Sequence, residues 1–429
     1  MIIFFIQFIT VLTTLFFIFH LIKNGLRFDK LFNIFYFIWF FYTFSLPLDL
    51  SLGLKIPTKP LFLNFNNYNN SVVILEMLIY YILLAIAFYV GYTSFNYPNN
   101  RDRGRKVLDD FNSYGWVIII FINLFITVIY LDSTSIYSKA QKSLLARSDL
   151  SVFSITMLPT LAQSISIIYI LGNKRRLLNN LIFLSIIFLS LMTGDRSNVV
   201  IIFLIFMSIN DLRFSFKQIM IIAPVAIFFL LYWKVIYFEI IQFIFFGEKM
   251  DFFYYTPKGG ISSAEFISAT NILAFTITNP PNQLLMGVSY VLTPIMLAIP
   301  RFLFDFGVTT MAENFVLNNF PDIAARGNAM GFSIIAESLI NFGRMGPIII
   351  GCFWGGIAKI LDSRKKDIIF VIGLFIFMKL FRADFATLIK SHMIVFGGIC
   401  FILSSLMYCF KFVTKSSKRI IVMSNNKYF

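Results

Sequence analysis

Between Arg326 and Gly356 the chain reads RGNAMGFSIIAESLINFGRMGPIIIGCFWGG, and four polar residues in it are spaced to share one side of a helix. Ser333, Glu337, Asn341 and Arg344 follow one another at intervals of four, four and three. A carboxylate, an amide and a guanidinium on one face offer a proton acceptor, a hydrogen-bonding group and an anion contact. Pro347 suits the first turn of the next helix, where its missing N–H is no loss. Arg344 just before that helix is repelled by the positive end of its dipole, unless both are aimed at an anion. Two readings stay open: a face that meets an anionic substrate, or the solvated face of an amphipathic helix lying at a membrane surface.

Arginine recurs beside apolar segments at Arg196, Arg301, Arg326, Arg344 and Arg382. Its planar fork matches phosphate oxygens in pairs and keeps its charge at low dielectric. Arg196 lies in the tight turn Thr193-Gly194-Asp195-Arg196-Ser197, where it meets an anion or pairs with Asp195 as a structural turn. Phe381-Arg382-Ala383-Asp384-Phe385 is a second such stretch. The two histidines, His20 and His392, have no cysteine or carboxylate at ligand spacing, and no Asp-x-Asp pair, P-loop or dinucleotide fingerprint occurs. Cys352, Cys400 and Cys409 all lie in apolar runs. The expectation is a site with no metal and no cofactor, and a chain with no disulfide framework. Glu76 and Lys234 sit near the ends of apolar runs, where both side chains can snorkel to the interface.

The elements that must position these residues are membrane helices. Of 429 residues, 58% are hydrophobic and 13% charged, and the mean hydropathy is +0.81, which excludes a water-soluble domain. An all-α polytopic integral membrane protein is the expected fold class. The net charge of +15 is concentrated in short loops between apolar runs, so it marks loops retained in the cytoplasm and not a nucleic-acid partner. Eleven spans are expected, at residues 1–22, 31–47, 71–92, 115–131, 152–171, 178–193, 197–210, 218–238, 345–361, 368–380 and 391–410. The first reads as a permanent span and not as a removed signal. Three regions follow: helices in 1–238, a large outer loop at 239–344, and helices with a short basic tail in 345–429. The positive-inside rule puts Arg101 to Lys106 and Arg364 to Lys366 in the cytoplasm, the N-terminus outside and the C-terminus inside. Within the outer loop, Leu284 to Ile299 is apolar but interrupted by Pro294, with Pro300 following, and is expected to be buried or half-inserted without crossing.

The segment Glu337-Ser338-Leu339-Ile340-Asn341-Phe342-Gly343-Arg344-Met345-Gly346 resembles the E-x-x-x-N-F-G-x-x-G signature of the O-antigen polymerases (Wzy), which polymerise oligosaccharide repeat units. Thr193-Gly194-Asp195-Arg196 is similar to the family's Thr-Gly-x-Arg turn, and Phe381 to Phe385 to its Phe-Arg-x-x-Phe stretch. The resemblance implies about eleven helices in a C-type glycosyltransferase-like architecture, in the bacterial inner membrane, with an active site facing the periplasm. It implies transfer of a growing glycan from undecaprenyl diphosphate to a new undecaprenyl-diphosphate-linked repeat unit. Donor and acceptor are then lipid-linked oligosaccharides, and a chain-length-regulating co-polymerase is an expected partner. On this reading Arg196, Arg344, Arg382 and Arg301 hold the diphosphate, and Asn341, Ser333 and Arg326 position substrate. Glu337 is the first choice for the base, followed by Asp384, Glu313 and Asp305; its alternative role is to orient an arginine through an ion pair. An O-antigen ligase shares the architecture but is expected to use an outer-loop histidine, which residues 239–344 lack. A lipid-linked oligosaccharide flippase is the alternative from another class, and no internal repeat of the transporter kind is visible.

Overall fold

The structure, a computed structural model, describes residues 8–12, 14–15, 26–27, 30–51, 71–95, 115–136, 150–172, 176–193, 196–210, 212–215, 217–218, 221–222, 225, 236–237, 239, 243, 267–298, 309–321, 331–364, 368–389 and 398. In chain order the helices are α1 (Leu31–Ser51), α2 (Ser71–Ser94), α3 (Gly115–Ile136), α4 (Leu150–Gly172), α5 (Arg176–Met192) and α6 (Arg196–Ile209). After these come α7 (Ile267–Thr278), α8 (Val288–Ala298), α9 (Met311–Asn319), α10 (Ile334–Phe342), α11 (Gly346–Asp362), α12 (Ile368–Lys379) and the single turn α13 (Phe385–Leu388). One small departure from all-helical structure is present: β1 (Leu26–Arg27) pairs antiparallel with β2 (Arg213–Phe214).

Four stretches among the described residues are long and apolar enough to cross a membrane: Leu31–Leu50, Ser71–Ser94, Gly115–Asp132 and Ile334–Asp362. The 24 residues of α2 extend about 36 Å, which exceeds a hydrocarbon core of about 30 Å. The spans expected at 152–171, 178–193, 197–210 and 368–380 fall on helices with shorter apolar stretches, Leu158–Leu171, Leu177–Met192, Asn198–Ile209 and Ile369–Lys379. Those expected at 1–22, 218–238 and 391–410 lie mostly outside the described residues. The span expected from residue 345 differs most. It is part of an apolar stretch that begins at Ile334 and is broken once, by the 3-10 turn Gly343–Met345.

Outward-facing apolar side chains support the membrane reading. On α3, Ile118, Phe121, Phe125 and Val128 recur at helical spacing and are all more than half exposed, a stripe that water would not tolerate on a monomer. The inward side of α3 carries the buried Asn123, whose Nδ2 donates to Ser166 Oγ on α4 at 3.0 Å and to Ser185 Oγ on α5 at 2.9 Å. Such bonds fix helix against helix where lipid gives no hydrophobic drive.

The centre of the bundle is the contact of α2 with α11. Gly351 and Gly355 face α2, and a Cβ at Gly351 would stand 2.6 Å from the Leu84 carbonyl oxygen, so only hydrogen fits between the backbones. Phe35 of α1 stacks on Phe88 of α2, with centroids 3.6 Å apart, and Trp354 of α11 meets Phe377 of α12 edge-on.

Asp362, at the end of α11, closes one end of this bundle. Its Oδ1 accepts from the Leu31 amide at 2.7 Å and its Oδ2 from the Tyr92 hydroxyl at 3.0 Å, so it caps the start of α1 and holds the end of α2 together. The Lys359 ammonium sits 4.9 Å from the Tyr92 ring centroid. The β1–β2 pair joins the segments just before α1 and just after α6. The start of α1 and the ends of α2, α6 and α11 therefore gather together, as the alternation of basic loops requires of one membrane side. Asp362→Ala is expected to destabilise the detergent-solubilised protein by about 1–3 kcal/mol, because buried helix-terminal amides lose their acceptor. A thermal unfolding midpoint equal to wild type would refute the cap.

Candidate functional site

The opposite end of the bundle collects the polar residues singled out in the sequence, in an arrangement different from the expected one. Helix α10 starts at Ser333, an N-cap whose Oγ accepts from the Ala336 amide at 3.5 Å. It ends at Phe342, because Gly343 has a φ of 60° and leaves the helical path. Ser333 therefore precedes the helix and Arg344 follows it. Ser333, Glu337 and Asn341 are fully buried, whereas Arg344 is exposed. A single outward polar face running from Ser333 to Arg344, whether solvated or aimed at an anion, is thus not what forms. The spacing does align Glu337 and Asn341, and it aligns them inward.

Polar partners explain the burial. Glu337 Oε1 accepts from Ser289 Oγ of α8 at 2.6 Å, and Oε2 accepts from the Phe385 amide at 2.7 Å. Asn341 Nδ2 donates to the same Ser289 Oγ at 2.8 Å and to the Glu337 carbonyl at 2.9 Å. Its Oδ1 accepts from the Gly287 amide at 3.1 Å. Just before that glycine, the amides of Leu285 and Met286 donate to the carbonyls of Ile340 and Asn341. Three successive amides of one turn thus bind the end of α10, two at its open carbonyls and one at the Asn341 side chain. That turn needs left-handed backbone at Met286 (φ 47°) and Gly287 (φ 88°). Only the second of these suits its residue, so Met286 holds a conformation that a side chain disfavours.

Helix α8 has 11 residues and a length of about 16 Å, too short to cross. Val288, Val291, Leu292 and Ile295 are exposed along one side of it, while Ser289 is turned inward and buried.

Asp384, immediately before α13, is fully buried. Its Oδ2 accepts from the Ala312 amide of α9 at 3.4 Å, and Oδ1 has no hydrogen bond of ordinary geometry, although Thr387 and the Met311 amide lie near enough to favour the ionised form. Burial outweighs them and pushes the Asp384 carboxyl above the ordinary carboxylate range. Glu337 and Asp384 act electrostatically on each other, and the Tyr290 phenol lies within reach of both. Tyr290 is held there by a parallel stack on Phe342 and an edge contact with Phe385, with centroids at 5.8 and 5.0 Å. Its hydroxyl is buried without a hydrogen bond.

The arginines are distributed around this centre. Arg382 is half-buried, close to Tyr42 of α1, and its Cγ would be 2.8 Å from a Cβ at Gly331. Tyr42 and Tyr81 line a small crevice with Thr270 of α7. Arg344 lies by the Tyr80 hydroxyl, which donates to Glu76 at 3.0 Å, so Glu76 belongs to this outer cluster. Arg196 is the first residue of α6, but its side chain lies outside the described residues, as do Arg301, Arg326 and Asp305. Glu313 is accounted for locally: its carboxylate accepts from the Thr310 amide in the capping box that starts α9. Among the described residues no group of three or more His, Cys, Asp or Glu side chains could hold a metal ion.

Ser289, Tyr290 and Lys379 are the residues of this end that the sequence reading passed over. A serine and a tyrosine inside the apolar run from Leu284 to Ile299 were the available signal for the first two. No protein-family model matches the chain, and neither a curated protein nor a solved structure matches it.

Proposed function

We propose that the chain is an integral-membrane glycosyltransferase that polymerises lipid-linked oligosaccharide repeat units. It moves the growing glycan from undecaprenyl diphosphate to a new lipid-linked unit at the outer face of the cytoplasmic membrane. One observation carries the reading. The Glu337 carboxylate binds the Phe385 amide at 2.7 Å and so joins the E-x-x-x-N-F-G segment to the F-R-x-x-F segment, 48 residues away. Residues that resemble one family's separate motifs thus meet at one end of the bundle, with Arg344 and Arg382 around them.

Arg196, Arg344, Arg382 and Arg301 neutralise the departing diphosphate, which requires cations more than it requires an acid. Glu337 takes the proton of the acceptor hydroxyl, with Asp384 next to it. Both carboxyls are covered in this conformation, so an acceptor reaches Glu337 only when the turn at Leu285–Gly287 and Ser289 draw back. The strained backbone at Met286 makes that turn the segment suited to move. Ser333 and Asn341 set the start and end of α10 and position substrate through it, and Arg326 is proposed to position substrate with them.

A deletion strain tests the reading. It is expected to keep lipid A core bearing a single repeat unit while losing all longer polymer, with full restoration by the wild-type chain. Core with no repeat unit at all would point instead to a ligase or a flippase.

A further inference from the structure

Helix α12 ends at Lys379, whose carbonyl accepts from the amides of both Arg382 and Ala383 at 3.0 Å. The chain therefore doubles back on itself, and Lys379 and Arg382 leave the same turn. Leu380 and Phe381 between them are buried, with Phe381 packed against Phe35, Tyr42 and Tyr81, so the turn is fixed in place. The half-buried Lys379 ammonium reaches across to α6, where its Nζ stands 3.5 Å from Asn198 Oδ1. Asn198 lies in the first turn of α6, two residues after Arg196. A single lysine thus links the turn that leads into the Phe-Arg-Ala-Asp-Phe stretch to the start of α6, 181 residues away in sequence.

The bridge itself is weak. A contact of 3.5 Å is at the outer limit for a hydrogen bond, and an amide oxygen directs an ammonium without neutralising it. Among the described residues no carboxylate is in contact with Lys379 Nζ. We propose that Lys379 is a further anion-binding residue, which together with Arg382 of the same turn meets the diphosphate of a polyisoprenyl-linked sugar. The inference rests on the polymerase reading. An ammonium is a compact point charge with three donors, and it complements the planar fork of arginine around a diphosphate. The competing role is local: a lysine in the last turn of a helix offsets the negative end of the dipole, which affects stability and not substrate affinity.

The test uses the full-length protein in lipid nanodiscs with purified undecaprenyl-diphosphate-linked repeat unit as substrate and sugar-free undecaprenyl diphosphate as competitor. Lys379→Gln is expected to raise KM and weaken the competitor by about tenfold or more, with a smaller change in kcat. Lys379→Arg should recover most of the loss. A Lys379→Gln variant with wild-type KM and wild-type competitor binding overturns the inference and leaves the polymerase reading intact, even if its melting point falls. If wild-type protein forms no polymer, the polymerase reading fails. Direct binding of undecaprenyl diphosphate then decides the anion site, and equal affinity of wild type and Lys379→Gln overturns it. Should Lys379→Gln fail to accumulate, the same comparison is made with Lys379→Met.

Discussion

Glu337→Gln is expected to accumulate in the membrane at normal levels and to lower glycan transfer by about a hundredfold or more. Glutamine keeps the size of the side chain, and its carbonyl can still accept from the Phe385 amide. Its NH2 group, however, points at a serine hydroxyl that already receives a hydrogen bond from Asn341 and now donates to Glu337. The Asn341–Ser289–Glu337 chain therefore loses its terminal acceptor, and the group able to take a proton is removed. Transfer by purified variant and wild type, measured on the same lipid-linked repeat unit, is the deciding assay. Near-normal transfer by Glu337→Gln would eliminate Glu337 as the base and direct attention to Asp384.

Gly355→Leu is expected to abolish accumulation of folded protein. A Cβ at residue 355 would run into the Phe88 carbonyl oxygen, and one at residue 351 into that of Leu84, so the obstruction is backbone and not a side chain that can swing aside. Overpacking of an ordinary core costs about 1–3 kcal/mol, and separating two backbones forfeits the packing along the whole contact in addition. Total stability of about 5–15 kcal/mol leaves little margin. Fluorescence-detected size-exclusion chromatography of a tagged chain would read the outcome. A monodisperse Gly355→Leu peak of wild-type height would show that the close approach is dispensable.

How much could be read in advance depended on what physics each residue obeyed. The long apolar runs gave α1, α2 and α3 nearly to their ends, because a bilayer demands length and apolarity whatever the neighbours are. The spacing of Gly351 and Gly355 permits a close helix contact but does not identify its partner α2, which depends on tertiary packing. Glu337 and Asn341 were correctly placed on one helix face, yet a sequence cannot say whether a polar face looks outward or toward other buried polar groups. Their partners were Ser289, hidden in a proline-interrupted apolar run, and the Phe385 amide, a backbone group with no sequence signature. Placing Ser333 and Arg344 on that face failed because Gly343 ends the helix and Ser333 caps it, two effects of single residues that periodicity ignores. Lys379 was missed because a basic residue at the end of an apolar run reads simply as the end of a span.

The clasp at Asp362 also bears on the order in which the chain is made. The first turn of α1 obtains its side-chain acceptor from a residue 331 positions later. The glycine-lined surface that fits α2 is likewise translated only with α11. A ribosome that has delivered the first half of the protein to the insertion machinery has therefore released α1 and α2 without their eventual neighbour. Until α11 enters the bilayer, lipid or a holding factor must occupy its place. Biogenesis of the bundle is a closing event late in synthesis, and nascent chains stalled before residue 346 should stay accessible to partners that the finished protein excludes.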